Sequence, residues 1–307
     1  MSYNRIIVIK HGSIGDFVMA FRAMKSIREY FSSSHITLVT TNLINKLFNQ
    51  IPYFDEIKID DRKSIFKTFN YFNYLKKINA ELVIDLQNSK RTQYYHFFTR
   101  IFYPKITINS SRKFSHLRYK LPKHGSEHVI DGLKNQLNLL NIEHSLRSDI
   151  NWLRKHDFVN PIKKKFALFI PGTSKNGMKK QWSPMNFSML SQLINKIGLD
   201  VVISGAPNDR DIIKDITKLS PKIIKLDEYY DFPNFINLCD HASIIISVDT
   251  GPAHIAAYSN TPLIWIIKSS PYTITNIPYS KNTTAIEAKD INSINADVVF
   301  KKILQLI

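Results

Sequence analysis

The chain has 307 residues, of which 44% are hydrophobic, which is enough apolar material for two α/β domains of ordinary size. Its single cysteine, Cys239, excludes an intramolecular disulfide, and no apolar run approaches the roughly 20 residues that span a bilayer. Because residues 6–9 are typical of a strand and not of a signal-peptide core, we expect a cytoplasmic protein.

The formal net charge of +17 is unevenly distributed. Residues 1–160 hold 25 Lys and Arg against 13 Asp and Glu, whereas residues 161–307 hold 17 against 12. Residues 90–123 include nine basic residues and no acidic one, interleaved with aromatic residues. Such a surface attracts nucleic acid, anionic lipid or a phosphorylated substrate. The alternative is that these basic residues are simply solvent-exposed and bind no partner.

The first half of the chain alternates predicted strands and helices, which indicates a parallel sheet covered by helices. The strands are predicted at residues 6–9, 36–40, 56–59 and 82–86. The helices are predicted at residues 17–30, 43–50 and 64–78, and from a cap at Ser126 to about residue 140.

A boundary is predicted near residues 155–165, where Asn160, Pro161 and three lysines interrupt the pattern. We therefore divide the chain into domains 1–160 and 161–307. In the second domain we predict strands at 166–170, 200–204, 223–225, 244–248 and 263–267, and helices at 184–197, 209–219, 232–239 and 297–306. Two Rossmann-like α/β domains with a ligand cleft between them are expected.

The most informative segment is residues 244–254, in which an apolar strand ends in Asp249-Thr250-Gly251 and a proline opens the next helix. Free N–H groups at a helix start favour phosphate, and Asp249, Thr250 and His254 are suited to a ribose and a diphosphate. The alternative is that Thr250 is an ordinary N-cap and His254 an ordinary helix residue.

Two further loops follow predicted strands. The loop of residues 10–16 has G-x-x-G spacing, and no acidic residue ends the second strand, so it is not a dinucleotide fingerprint. Asp16 stands at the helix start, where capping alone would explain it. The loop of residues 171–182 combines hydroxyls with a lysine cluster, which suits a diphosphate.

These pieces together resemble the heptosyltransferases of glycosyltransferase family 9, which build the lipopolysaccharide core. The similar segments occur in family order at residues 7–16, 83–87, 171–174, 180–184, 201–207 and 248–254. His11 and Gly12 depart from the family pattern, because many members carry small hydroxyl residues there.

The resemblance implies a GT-B fold and an inverting, metal-independent transfer from a nucleotide-sugar, with ADP as the nucleotide and no other cofactor. Asp16 would be the general base. The implied donor-site residues are Thr173, Ser174, Lys180, Asp249, Thr250, Gly251 and His254. We assign acceptor contacts to Lys10, Ser13, Arg112, Lys113 and Arg118.

The implied acceptor is an anionic lipid-linked lipopolysaccharide core, and we expect peripheral association with the inner membrane and no nucleic-acid partner. Two alternatives remain open. One is a noncatalytic nucleic-acid binder that uses the basic aromatic stretch. The other is a nucleotide-sugar epimerase of the same architecture.

Overall fold

The computed structural model of the chain describes residues 3–60, 65–123, 125–145, 149–173, 180–226, 231–278 and 280–307. Its contacts divide the chain into two compact units, Met1–Trp152 and Leu153–Ile307. Residues 153–160, which we predicted in the first domain, therefore belong to the second unit. Arg154 holds them there, because its Nε lies 2.8 Å from Oδ2 of Asp240.

The first unit is built on one parallel sheet in the order β3-β2-β1-β4-β5-β6. Its strands are β1 (Arg5–Ile9), β2 (His35–Thr40), β3 (Glu56–Ile59), β4 (Leu82–Asp85), β5 (Thr107–Ser110) and β6 (Leu117–Arg118). Its helices are α1 (Ile14–Met19), α2 (Phe21–Tyr30), α3 (Asn42–Phe48), α4 (Ile65–Lys77), α5 (Lys90–Phe102) and α6 (Val129–Asn138). Buried apolar runs in β1, β2 and β4 form its centre, as expected for a sheet covered on both faces.

The second unit repeats this architecture with a parallel sheet in the order β12-β11-β10-β7-β8-β9. Its strands are β7 (Phe166–Ile170), β8 (Asp200–Ile203), β9 (Ile224–Lys225), β10 (Ile244–Val248), β11 (Leu263–Lys268) and β12 (Thr283–Ala288). Its helices are α7 (Pro184–Lys196), α8 (Arg210–Leu219), α9 (Phe232–His241), α10 (Gly251–Ala256), α11 (Pro271–Ile274) and α12 (Ala296–Ile303). Short 3-10 turns occur at Pro207–Asp209 and Ile291–Ser293, and a third, Asn151–Leu153, spans the boundary between the two units.

A large apolar core stabilises the second unit. Trp182 is fully buried, its ring packs against Phe187 at 4.8 Å, and its Nε1 donates to the carbonyl of Ile294 at 2.6 Å. Cys239 is buried in α9, and burial raises the pKa of its thiol well above the usual value.

Two helix predictions are wrong in detail. The helix predicted over residues 17–30 is interrupted at Ala20, whose N–H donates to the carbonyl of Phe17, three residues back, at 3.1 Å. Ser126 does not cap α6; His128 does, because its Nδ1 accepts from the N–H of Ile130 at 3.2 Å.

Candidate functional site

Both sheets reverse their strand order at one place, which is where ligands of open α/β sheets bind. In the first unit this switch point lies between β1 and β4, and in the second unit between β7 and β10. The loops that follow these four strands carry most of the predicted site residues. Topology therefore brings together, within each unit, residues that are about 70 positions or more apart in sequence.

Lys10 joins the two loops of the first switch point. It is only 4% exposed, and its Nζ donates to the carbonyl of Leu86 at 3.0 Å. Burial lowers the pKa of the Lys10 ammonium, against the opposing attraction of the Asp16 and Asp85 carboxylates. Lys10 thus ties the loop after β1 to the loop after β4 and has little surface of its own for a ligand.

Asp16 lies in the first turn of α1 and forms a capping box with Ser13. Its Oδ2 accepts from the Ser13 backbone N–H at 3.1 Å and from the Ser13 hydroxyl at 2.9 Å. Its Oδ1 has no hydrogen-bond partner within the described ranges. One oxygen therefore orients the half-buried carboxylate, and the other is available to accept a proton.

His11 fixes the start of this loop through two contacts. Its ring Nε2 lies 3.0 Å from Oδ2 of buried Asp60, and its backbone N–H donates to Oε1 of Gln87 at 2.9 Å. The Tyr95 hydroxyl, on α5, also donates to Asp60 Oδ2 at 2.7 Å. Gly12, next along the chain, has φ +112°, a conformation that favours glycine.

A second buried histidine–aspartate pair lies beneath the segment that follows β5. His96 Nε2 is 3.2 Å from Asp85 Oδ2, and both side chains are buried. Burial raises the pKa of the Asp85 carboxyl, but His96, Thr92 and the Asn88 N–H outweigh this and hold it below its usual value. Our sequence reasoning missed both pairs, although acidic residues at the ends of two strands were a signal for them.

The three predicted acceptor residues beyond β5 lie on the surface of the first unit. Arg112 Nε donates to the carbonyl of Asn88, which connects this segment to the loop after β4. Arg118 Nε donates to the carbonyl of Ser111 at 3.3 Å, and Lys113 is exposed. Only Arg112 is therefore tied directly to the first switch point.

In the second unit, Lys180 and Asp249 connect the loops after β7 and β10. Lys180 Nζ lies 2.6 Å from Asp249 Oδ2. Thr173 is half-buried three residues after the end of β7, and Ser174 lies outside the described residues. The ion pair places a cation at the second switch point, where a diphosphate would need one.

The start of α10 contributes Thr250 and Gly251. Thr250 occupies the N-cap position, but its hydroxyl makes no cap hydrogen bond, so capping does not use this side chain. His254 is buried in the helix, with its ring edge-on to Trp265 at 4.9 Å. Of the predicted donor residues that are described, His254 is thus the one packed into the interior.

Asp209 lies beside the loop after β7, a neighbour that the sequence pattern did not reveal. Its Oδ2 accepts from the Ala206 N–H at 2.8 Å, and burial raises the pKa of its carboxyl. A Cβ on Gly172 would lie 2.1 Å from the Asp209 carboxylate carbon, so the loops after β7 and β8 touch only because residue 172 is glycine. The signal was the Gly-Ala-Pro that precedes Asp209 by two residues.

Neither a metal site nor a membrane span is present among the described residues. No cluster of three or more His, Cys, Asp or Glu there is placed to hold a metal ion. No helix in those ranges is both long and apolar enough to cross a bilayer.

Comparison with known proteins identifies the family. The model of glycosyltransferase family 9 (heptosyltransferase) matches residues 69–302, more than half of the chain. Lipopolysaccharide heptosyltransferase 3 of Escherichia coli is 32% identical over 115 residues, and this match spans 36% of the chain and about a third (34%) of that protein. Lipopolysaccharide core heptosyltransferase OpsX of Haemophilus influenzae is 21% identical over 86% of the chain and 81% of its own length.

The fold agrees with this assignment. The structure of E. coli ADP-heptose LPS heptosyltransferase II superposes with a TM-score of 0.75 at 16% identity, covering 98% of both chains. The predicted GT-B architecture, with two parallel-sheet α/β domains, is therefore confirmed. On its sequence match and its fold, the chain belongs to glycosyltransferase family 9, the heptosyltransferase family.

Proposed function

We propose that the protein transfers a heptose from an ADP-linked donor to a lipopolysaccharide core acceptor, with inversion and without a metal. The proposal rests on the Asp16 carboxylate, which Ser13 orients through one oxygen at the first switch point. Family membership and the names of the relatives support the sugar, the donor and the acceptor class.

In the proposed reaction, Asp16 takes the proton from the acceptor hydroxyl as the oxygen attacks the anomeric carbon of the donor. A new C–O bond forms on the face opposite the diphosphate, the old C–O bond breaks, and ADP leaves with the bonding electrons. The proton remains on Asp16 until solvent removes it. The Asp16 carboxylate also interacts electrostatically with the buried Lys10 side chain.

The departing diphosphate gains negative charge, which must be balanced for the bond to break. In this proposal Lys180 takes this role, with Thr173, Ser174 and the start of α10 at Thr250 and Gly251 as hydrogen-bond donors. In this proposal Asp249 orients the Lys180 ammonium through their 2.6 Å ion pair and accepts from the ribose, and His254 supports the helix turn beneath the phosphates.

The acceptor would be held by Ser13 and by Arg112, Lys113 and Arg118, whose charge suits phosphorylated or acidic sugars. Because that acceptor is a lipid, we propose that the protein works in the cytoplasm at the anionic surface of the inner membrane.

Transfer can be tested with ADP-heptose and a lipopolysaccharide core that lacks heptose. We expect the mass of the acceptor to rise by one heptose, and NMR to show that the configuration of the transferred anomeric centre is inverted. The rate of transfer should be unchanged in EDTA. Isomerised free sugar without acceptor would instead indicate an epimerase. Salt-sensitive RNA binding without donor turnover would indicate a nucleic-acid binder.

The nucleotide can be tested separately by a thermal-shift panel of ADP, UDP, GDP and CDP. A ligand at 100 times its dissociation constant adds about 2.7 kcal/mol to the stability of the folded state. ADP should give the largest shift, and a larger shift with another nucleotide would replace ADP in the proposal.

A further inference from the structure

We infer that the outward face of α5 is an interfacial anchor that inserts aromatic side chains into an anionic lipid bilayer. This inference rests on the proposed function, in which the acceptor is a membrane lipid, and it specifies which element meets the membrane and how. The face comprises Tyr94, Phe97, Phe98, Ile101 and Phe102, and is called the α5 stripe below.

The α5 stripe faces solvent, contrary to the usual arrangement of an amphipathic helix. Tyr94, Ile101 and Phe102 are 63%, 54% and 58% exposed. The five members of the α5 stripe follow the three- and four-residue spacing that places side chains on one face of a helix. The inward face is the more polar one, and its buried residues are Thr92, Tyr95, His96 and Thr99.

The exposed rings form one continuous surface. Phe98 stacks with Phe102 at 6.1 Å and an interplanar angle of 6°, and Phe97 packs edge-on to Phe98 at 5.3 Å. Phe114, which is also exposed, extends the surface from the next segment, with its ring 5.1 Å from that of Phe97. Exposed apolar patches of this kind mark sites of association.

The surrounding charge selects an anionic membrane as the occupant. Residues 90–123 carry nine basic side chains, none of them buried, and no acidic residue. Basic residues beside exposed aromatic rings are typical of helices that lie in the interface of an anionic membrane. Self-association through this face would instead bring two positively charged patches together, which opposes it.

The interior contacts of α5 make it a rigid support. The Tyr95 hydroxyl donates a hydrogen bond to Asp60, and His96 Nε2 lies 3.2 Å from Asp85 Oδ2. These buried polar contacts hold the helix to the sheet. Side chains of the α5 stripe can therefore enter a bilayer without the helix leaving the first unit.

Vesicle binding of the full chain tests the inference. The variant I101S/F102S keeps every charge and removes two largely exposed apolar side chains. We expect its partition onto phosphatidylethanolamine vesicles with about 25% phosphatidylglycerol to fall about tenfold or more. The matched control M185S/V298S removes exposed apolar side chains from α7 and α12 of the second unit and should bind like the wild type.

Insertion itself is read from fluorescence. In the variant F102W, emission from the introduced tryptophan should shift to the blue on vesicles and be quenched by brominated lipid. In V298W the introduced tryptophan should show neither effect. Equal quenching of both, or unchanged binding of I101S/F102S, would overturn the inference. Concentration-dependent dimers that I101S/F102S abolishes, with vesicle binding unaffected, would identify a second copy as the occupant.

The outcome is separable from that of the proposed function. A delipidated core acceptor in solution should be used by wild type and I101S/F102S at equal rates, and only transfer to acceptor in vesicles should fall. A wild type that binds vesicles and transfers no sugar contradicts the proposed function alone. A wild type that transfers to soluble acceptor and ignores vesicles contradicts the anchor alone.

Discussion

Asp16 combines a structural and a proposed chemical role in one side chain, and Asp16→Asn separates them. The side-chain oxygen of asparagine can still accept from Ser13, so the variant should stay folded. Without a carboxylate to take the proton, transfer should fall by about two to four powers of ten. The measurement is the initial rate of transfer, with circular dichroism to confirm the fold.

Ser13→Ala tests how much the orienting hydrogen bond contributes to that prediction. It removes the 2.9 Å bond from the hydroxyl to Asp16 and leaves the carboxylate in place. We expect a much smaller loss of rate than for Asp16→Asn. A folded Asp16→Asn protein that transfers sugar at the wild-type rate would show that Asp16 is only a cap.

Lys180 should distinguish a diphosphate from a nucleoside. Lys180→Ala removes the cation paired with Asp249 and leaves that carboxylate uncompensated, so affinity for ADP should fall more than affinity for adenosine. Calorimetry measures both. Lys196→Ala, at the far end of α7, controls for loss of charge alone. Equal losses for ADP and adenosine would remove Lys180 from the phosphate site.

His144 predicts a pH dependence of stability. Burial, with repulsion from Arg22 and Lys134, lowers the pKa of its imidazole from 6.5 to about 4. The unfolded chain therefore takes up this proton at a higher pH than the folded protein does, and stability is lost as pH falls from 6.5 towards 4. Because the ring is only half-buried, solvent screens part of this effect, and we expect a loss on the order of 1–2 kcal/mol.

Urea unfolding at about pH 7 and about pH 4 measures this effect. His144→Gln has no titrating ring, so its stability should fall less between these pH values than that of the wild type. An identical fall in both proteins would assign the acid sensitivity to other groups.

At the scale of elements, close approach of two loops constrains the second switch point. Gly172→Ala places a methyl group 2.1 Å from the Asp209 carboxylate carbon. The carboxylate must move, and this should break its hydrogen bond from the Ala206 N–H. We expect a loss of about 1–3 kcal/mol in stability, measured by urea unfolding, and weaker ADP binding. The double variant G172A/D209A removes the clashing group and should be more stable than Gly172→Ala. A Gly172→Ala protein with wild-type stability would contradict the close packing.

Sequence periodicity located most elements because their inward faces are apolar. We did not predict α5, although its outward apolar residues follow helical spacing, because we interpreted the basic and aromatic residues of 90–123 as a binding surface. Periodicity missed the break at Ala20, since alanine is the best helix former and gives no sign of an interruption. Strands β5, β6 and β12 lie at or near sheet edges and contain polar residues that obscure the pattern.

Features of the candidate site could be predicted from sequence where the residues are close along the chain, and not where they are far apart. The loops after β1, β7 and β10 carry local motifs, so Asp16, Thr173 and Asp249 could be named as candidates directly from the sequence. The pairing of His11 with Asp60 joins residues almost 50 positions apart, and no local pattern specifies such a contact. The same reason explains why the contact of Gly172 with Asp209 was not foreseen.

At the scale of the molecule, the shared strand order suggests that each unit can fold by itself. The second unit has its own buried core, and all predicted donor residues belong to it. A chain of residues 153–307 should therefore show cooperative unfolding and bind ADP, measured by calorimetry. Residues 1–152 alone should not bind ADP. A folded but non-binding 153–307 chain would mean that donor binding needs groups from the first unit.

The buried position of Cys239 makes the natural chain suitable for site-specific labelling. It is the only cysteine, and its accessible surface and thiolate fraction are both minimal, so maleimides should leave the folded wild type unmodified. One cysteine introduced on the surface of each unit would then carry spin labels or dyes without background. Distances between such probes, recorded with and without ADP, would report whether the two units move during a catalytic cycle.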